Sequence, residues 1–288
     1  DCDTGTNARV TFQTLAHGCE QLSDSDPLSV GLDCAIQSGI RGALGHCGVL
    51  LVSILSSWHS ALDDAAITPV VLRRMLLATP SALKAAHAQG SATDAMLREA
   101  CSELEGLGDT LPEVEDVFSR FSTQAQIGLV EATNESTGRI DPGGAFIALV
   151  LACIDAAMRD DAGILQSFTA MLADLAERHS RAPEAASPPP GRDFTVDIIL
   201  EGTEDDLRGL LVRLGGLGAR LSYVGRVDLF GMGEWRLHVD TSAPLAAHPT
   251  SGQVVRFQVC DARPDAQIGI DELADEGLTP RGVRLLQR

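Results

Sequence analysis

The chain has 288 residues, 44 % of them apolar, which is enough for one large domain or two ordinary ones with real cores. Its formal net charge of −18 argues against unaided binding to nucleic acid or to anionic lipid surfaces, because like-charge repulsion opposes the encounter. A nucleotide carried with a metal ion is not excluded. Seven cysteines occur singly, at 2, 19, 34, 47, 101, 153 and 260, without the paired spacing of a metal knuckle and with an odd total, a pattern that fits the reducing cytoplasm. The longest apolar runs, such as "AFIALVLACI", are about half the length of a bilayer crossing, and no signal peptide precedes them, so no membrane insertion is expected.

The first stretch, "DCDTGTN", sets Asp1 and Asp3 in a turn before a helix. Two carboxylates so close repel unless something cationic holds them, and carboxylate oxygens suit Mg²⁺, with water and substrate phosphates completing its shell. Thr4, Thr6 and Asn7 can donate to phosphate oxygens at the helix start. An acidic N-cap is the other reading, with Asp3 or Thr6 satisfying helix amides, and spacing alone does not choose between them. Because the chain begins at Asp1, directly on this motif, an upstream segment and its helix are expected to be missing.

From residue 7 to about 179 the apolar residues keep helical spacing. Phe12, Leu15, Cys19 and Leu22 share one predicted face, as do Leu97, Ala100, Cys101 and Leu104, while Val49 to Trp58 and Ala145 to Met158 are apolar on most sides. Glycine-bearing turns open three of these helices, in "DCDTGTNARVTF", "ALGHCGVLLVSIL" and "RIDPGGAFIALVL". Converging helix N-termini offer amide donors and a positive dipole end to an anion. Taken singly, the second and third junctions read as tight turns that need glycine. "SRAPEAASPPPGRD" (180–193) holds four prolines and reads as a linker. Beyond it "FTVDIIL", "ARLSYVGRV", "EWRLHVDT" and "QVVRFQV" read as strands, with a helix over "TEDDLRGLLVRLGGLG" and a short one near Leu245. That β-α-β-β-β order predicts a small α+β domain of ferredoxin-like type. The organisation expected is therefore a helical domain over 1–179, the linker, an α+β domain over 194–263 and a poorly ordered polar tail over 264–288.

"DCDTGTN" resembles the "DGDTGTN" signature of the nucleotide-binding domain shared by the L subunit of dihydroxyacetone (glycerone) kinases and the ATP-binding subunit of bacterial fatty acid kinases. "GALGHCGVLLVSIL" is similar to that family's "GARGNSGVILSQIL", and "RIDPGGAFIALVL" to its "VVDAGGxGL" stretch. "WRLHVDTSAP" resembles the "VHVHTNDP" of the fatty acid kinase middle domain. The resemblance runs from residue 1 to about 263. It implies an all-α antiparallel bundle with ATP and Mg²⁺ at one end, followed by the α+β domain, and a kinase whose acceptor is held by a partner protein of the fatty-acid-binding or dihydroxyacetone-binding type. It implies dimerisation through this region as well. By matched position, Asp1 and Asp3 are metal ligands, Thr4, Thr6 and Asn7 lie beside the phosphates, Gly45, His46, Cys47 and Gly48 form a second phosphate loop, and Asp141, Gly143 and Gly144 face the nucleotide. Phosphoryl transfer of this kind needs positioning and charge neutralisation and no protein nucleophile.

The chain departs from the pattern at several of these positions. Cys2 stands for the glycine between the aspartates, Leu44 for an arginine, and His46 and Cys47 for an Asn-Ser pair. His46 reads equally as a phosphate donor or as a turn residue without a ligand, and Cys47 as a small apolar contact. "AAHAQGSATDAML" keeps only an echo of the family's "NPVEGTILTV", with Gly90 and Ser91 as candidates for the nucleotide pocket. The middle domain's His-x-His and first-strand cysteine, which the resemblance implies as a metal site, become His238, Asp240 and Thr195, which leaves at most a weak pair, and His238 is expected to be an exposed strand histidine. A phosphotransferase subunit is the leading reading. A catalytically impaired nucleotide-binding or scaffold relative is the alternative, and a hydrolase using the same carboxylates on water is a third.

Overall fold

The alternation of the C-terminal third and the helical spacing before it reappear as elements in a computed structural model, which describes residues 4–23, 25–62, 66–108, 110–135, 140–179 and 193–262. Asp1, Cys2 and Asp3, nearly all of the linker, and the 264–288 tail lie outside the described residues. The helices are α1 Thr4–Gly18, α2 Leu28–Gly42, α3 Gly45–Ala61, α4 Pro69–Leu77, α5 Thr79–Ala85, α6 Ala92–Glu105, α7 Val114–Glu135, α8 Pro142–Arg159 and α9 Ala162–His179. Then follow β1 Phe194–Thr203, α10 Glu204–Gly216, β2 Arg220–Val227, β3 Met232–Thr241, a 3₁₀ turn Pro244–Ala247 and β4 Gln253–Asp261. The chain is thus mostly helical, with a small four-stranded antiparallel sheet near its C-terminus. Two compact units result. One takes α1, residues 37–52 and the sheet; the other takes residues 19–36 and 53–179.

In the first unit the strands lie in the order β2-β3-β1-β4. Side chains alternate across a strand, so the register decides which residues share a face. Val196, Ile198 and Leu200 on β1 stand opposite Val239, Leu237 and Trp235 on β3 and bury an apolar face against Leu207, Leu210 and Leu214 of α10. α10 starts on a capping box, in which Thr203 Oγ1 accepts from the Asp206 amide and the Asp206 carboxylate accepts from the Thr203 amide. Thr203→Ala should cost about 1 kcal/mol, read as a lower urea midpoint with unchanged slope; an unchanged midpoint would show that the cap contributes nothing.

α1 and α3 run in the same direction in this unit. A Cβ on Gly48 would come within 2.6 Å of Thr11 Oγ1, and one on Gly39 would meet Val52 at 2.4 Å and Leu15 at 3.0 Å, so steps of four residues along α1 match steps of four along α3. α2 ends between them, its Gly42 2.4 Å from Thr14 by the same measure. These glycines permit close helix contact, and no larger residue fits without displacement. The predicted face of α1 is revised accordingly: Thr11 and Leu15 are buried, whereas Phe12 is exposed, because the position facing the α3 start needs a small hydroxyl that accepts from the Leu44 amide at 3.0 Å.

In the second unit the expected apolar faces are buried. Leu97, Ala100, Cys101 and Leu104 of α6 pack with Phe118, Phe121 and Leu129 of α7, where Gly128 lets α7 approach the Met96 backbone. α8 has the length and mean hydropathy (1.5 over 18 residues) of a membrane span, yet it packs against α7 and α9 and carries a buried carboxyl, Asp155. Burial raises the pKa of Asp155, against the hydrogen bond from Ser119 and the neighbouring Arg159 guanidinium.

Candidate functional site

The glycine junctions separate into two groups. In the first unit, the parallel course of α1 and α3 sets the turn Thr4–Asn7 and the turn Gly45–Gly48 at one end. The Thr11 contact lies at Gly48, in the first turn of α3, and Thr6 precedes Thr11 by five residues of α1. Gly5 and Thr6 are exposed, and a Cβ on Gly5 would meet nothing within 4 Å. Gly45 has φ +69°, a conformation that favours glycine, and turns the chain into α3, where Cys47 and Gly48 are buried. Asp1 and Asp3 lie outside the described residues.

In the second unit, the third junction meets the α6 start. Asp141 caps α8, accepting from the Gly144 amide at 3.1 Å and from Thr93 Oγ1 at 2.5 Å. A Cβ on Gly143 or Gly144 would come within 3.6 or 3.4 Å of Thr93 Oγ1. Ser91 caps α6, and the Gly90 amide donates to Asp94 at 2.8 Å. Gly90 and Ser91, at the α6 start, thus adjoin the Asp141 turn through Thr93. Ser91 and Asp141 thus each accept from a helix amide.

His46 behaves differently from the expectation. Both ring nitrogens are engaged by the sheet: Nδ1 lies 2.7 Å from Ser222 Oγ and Nε2 lies 3.0 Å from Asp240 Oδ2. Its ring stands edge-on to His238, centroids 4.5 Å apart. His238 is 3 % exposed, which overturns its reading as an exposed strand residue. The reason is the second face of the sheet, which is polar but covered. Ser222, His238 and Asp197 form one row across β2, β3 and β1, and Arg220, Asp240 and Thr195 form the next. His238 Nδ1 donates to Asp197 Oδ1 at 3.0 Å, and the wholly buried Arg236 donates to the same oxygen from Nη2 at 2.8 Å. An exposed ion pair, Arg41 with Glu234 at 3.0 Å, also joins the end of α2 to β3.

The electrostatics follow from this burial. Desolvation pushes the His46 imidazole down to about 4 although the Asp240 hydrogen bond opposes it, with His238 and Arg220 adding to the fall, so the ring is neutral at pH 7. A neutral ring that donates from Nε2 to a carboxylate must accept at Nδ1, from the Ser222 hydroxyl. Burial would raise Asp240, but the His46 hydrogen bond, with the basic groups of His46, His238 and Arg220 around it, holds its carboxyl below the usual range. Asp197 is driven to about 2 for the same kind of reason: burial opposes ionisation, and Arg236 and His238 overcome it. The His238 Nε2 atom is buried without a hydrogen-bond partner and lies 3.7 Å from Asp240 Oδ1.

His46, His238 and Asp240 present one ligand atom each, all within 4.8 Å of one another. The His238 and Asp240 pair was visible as His-x-Asp on one strand face. Nothing in the sequence ties it to His46, which comes from a different helix 194 positions from Asp240. The chain matches no protein-family model and no curated protein.

Proposed function

We propose that the chain is an ATP- and Mg²⁺-dependent phosphotransferase subunit of the dihydroxyacetone/fatty acid kinase type, transferring the γ-phosphate to a small substrate carried by a partner protein. The supporting observation is the common end of α1 and α3, with an open, exposed glycine turn on one helix and a positive-φ glycine turn on the other. Backbone amides, Thr4, Thr6 and Asn7 suit phosphate oxygens, and Asp1 and Asp3 suit Mg²⁺. Bound Mg²⁺ would neutralise phosphate charge; the residues' own part is to bind and orient the nucleotide. In this reading the helices form the family's antiparallel bundle and the C-terminal part is ferredoxin-like, supported by β3 lying between β1 and β2 with α10 as the crossover. The protein then works in the cytoplasm, as a dimer, beside its substrate-carrying partner.

A second reading, a catalytically impaired nucleotide-binding or scaffold relative, is favoured by one observation: both nitrogens of His46 are taken by Ser222 and Asp240, so its side chain gives nothing to a phosphate in this arrangement. Thermal unfolding with ATP, with Mg²⁺ and with both decides between nucleotide binding and its absence. A rise in unfolding temperature that needs both ligands and disappears in Asp1→Ala/Asp3→Ala is the expected result. No rise with both ligands would sink the phosphotransferase reading. Transfer to the partner's substrate, abolished by Asp3→Ala, would rule out the scaffold.

A further inference from the structure

We propose that Cys19 and Cys34 form a redox modification site, at which an oxidant of the peroxide class joins the two sulfurs in a disulfide that a thiol reductant reopens. The pair lies apart from the glycine turns and from the polar face of the sheet, and the inference does not depend on the nucleotide reading.

Three observations carry it. First, the two cysteines meet at one turn of α2. The Cys19 thiol, in the turn that follows α1, lies 3.8 Å from the Gly31 carbonyl oxygen on α2. Cys34 is three residues further along α2, on the same helix face. Side chains on a helix lean toward its N-terminus, which directs Cys34 over the turn that Cys19 already touches. The two sulfurs also interact electrostatically: burial first, and Cys34 second, hold the Cys19 thiol above its ordinary value.

Second, the backbone maintains this approach. The Leu22 amide donates to the Cys19 carbonyl at 3.0 Å, and a Cβ on Gly31 would lie 3.8 Å from Leu22 Cδ1. Cys19 and Leu22 therefore both rest on the Gly31 turn, where the lack of a side chain lets the connection between α1 and α2 come close. Cys19 stands just beyond the last residue of α1. There the chain can adjust toward the Cα separation of about 4.4–6.8 Å that a disulfide needs.

Third, an oxidant can reach the pair. Cys19 and Cys34 are half-buried, whereas Cys47 and Cys101 are buried, and burial pushes the Cys101 thiol up to about 12. A thiol placed like Cys101 is an inert apolar contact. Cys153 is half-buried as well, but its thiol is raised by burial, with no second cysteine contributing among the described residues.

The chemistry closes without a further reactant. One thiol, as its thiolate, attacks a peroxide oxygen to give a sulfenic acid, and the hydroxide released takes up the thiol proton. The second sulfur then attacks the sulfenic sulfur, the S–S bond forms, and water leaves with the second proton. The two sulfurs together lose two electrons, and one peroxide becomes two waters. The raised Cys19 thiol keeps that thiolate scarce at neutral pH, so the link records sustained oxidation, while a reducing compartment keeps it open.

Hydrogen peroxide treatment of the reduced full chain, followed by alkylation of the remaining thiols, digestion and mass spectrometry, tests the proposal. The expected result is one dominant intramolecular link between Cys19 and Cys34, lighter by two hydrogens, with the other cysteines alkylated and the link reversed by dithiothreitol. In Cys19→Ser and Cys34→Ser the link should be lost, and dimedone should trap a sulfenic acid on the remaining partner in at least one of the two. Absence of the link in the wild-type chain, or dominance of another pairing, would overturn the proposal. So would a share of this link among all pairings that is the same in the folded and the urea-unfolded chain, because proximity in the fold would then contribute nothing.

Discussion

Asp197→Ala is expected to lower stability by about 3–5 kcal/mol, measured by urea unfolding of the full chain. Among the described residues the carboxylate is the hydrogen-bond acceptor for Arg236, whose side chain is fully excluded from solvent, and it holds His238 Nδ1 as well. Removing one member of a buried ion pair strands the other charge, and that desolvation dominates the cost. Arg236 Nε and Nη1 already lack partners, so the guanidinium has no second acceptor to turn to. The control is Asp197→Leu/Arg236→Met, which removes both charges and keeps the volume. It should recover most of the loss and leave about 1–3 kcal/mol for the stranded His238 N–H. If Asp197→Ala costs less than about 1 kcal/mol, or the double variant recovers nothing, the pair is not the buried charge anchor described here.

The second large effect belongs to Trp235. Its indole, 3 % exposed, lies over two glycines: a Cβ on Gly225 would sit 1.9 Å from Cδ1 and 2.7 Å from the Glu234 carbonyl, and one on Gly233 would sit 2.4 Å from Cζ2. Gly225 is the direct cross-strand neighbour of Trp235. Trp235→Ala should cost about 3–5 kcal/mol, as truncation of a buried aromatic does. Gly225→Ala should cost about 3 kcal/mol, because a ring wedged between glycines and the α10 core cannot step aside without losing its packing. In the Trp235→Ala background the same glycine change should cost less, since the indole atoms are gone and the Glu234 carbonyl contact at 2.7 Å remains. A double-mutant cycle by chemical denaturation measures this, with an expected coupling of up to about 3 kcal/mol. Additive costs would show that the glycines serve the strand backbone and not the indole.

Much of the local structure was legible because it depends on short-range chemistry. "FTVDIIL" alternates and opens β1, "TEDD" carries the capping box that starts α10, and the apolar runs from Val49 and Ala145 form α3 and α8. Phe12 was misread because helical spacing alone cannot tell which of two adjacent rows faces a neighbour. The Gly48 contact, which demands a small hydroxyl at Thr11, made that choice.

The polar sheet face was misread for a related reason. Asp197, Arg236, His238 and Asp240 alternate with apolar residues, and such alternation means one buried and one solvated face when a sheet is covered on one side only. Here the sequence determined the elements, the apolar face that packs on α10, and the glycines that open the helices. The tertiary structure decided which polar residues meet. His46 reaches Asp240 from 194 positions away, and Asp197 finds His238 only through strand register. Side-chain chemistry and helix or strand period are local properties written in neighbouring residues. A cluster drawn from α3, β1, β2 and β3 exists only once backbone pairing and burial have fixed where those segments stand.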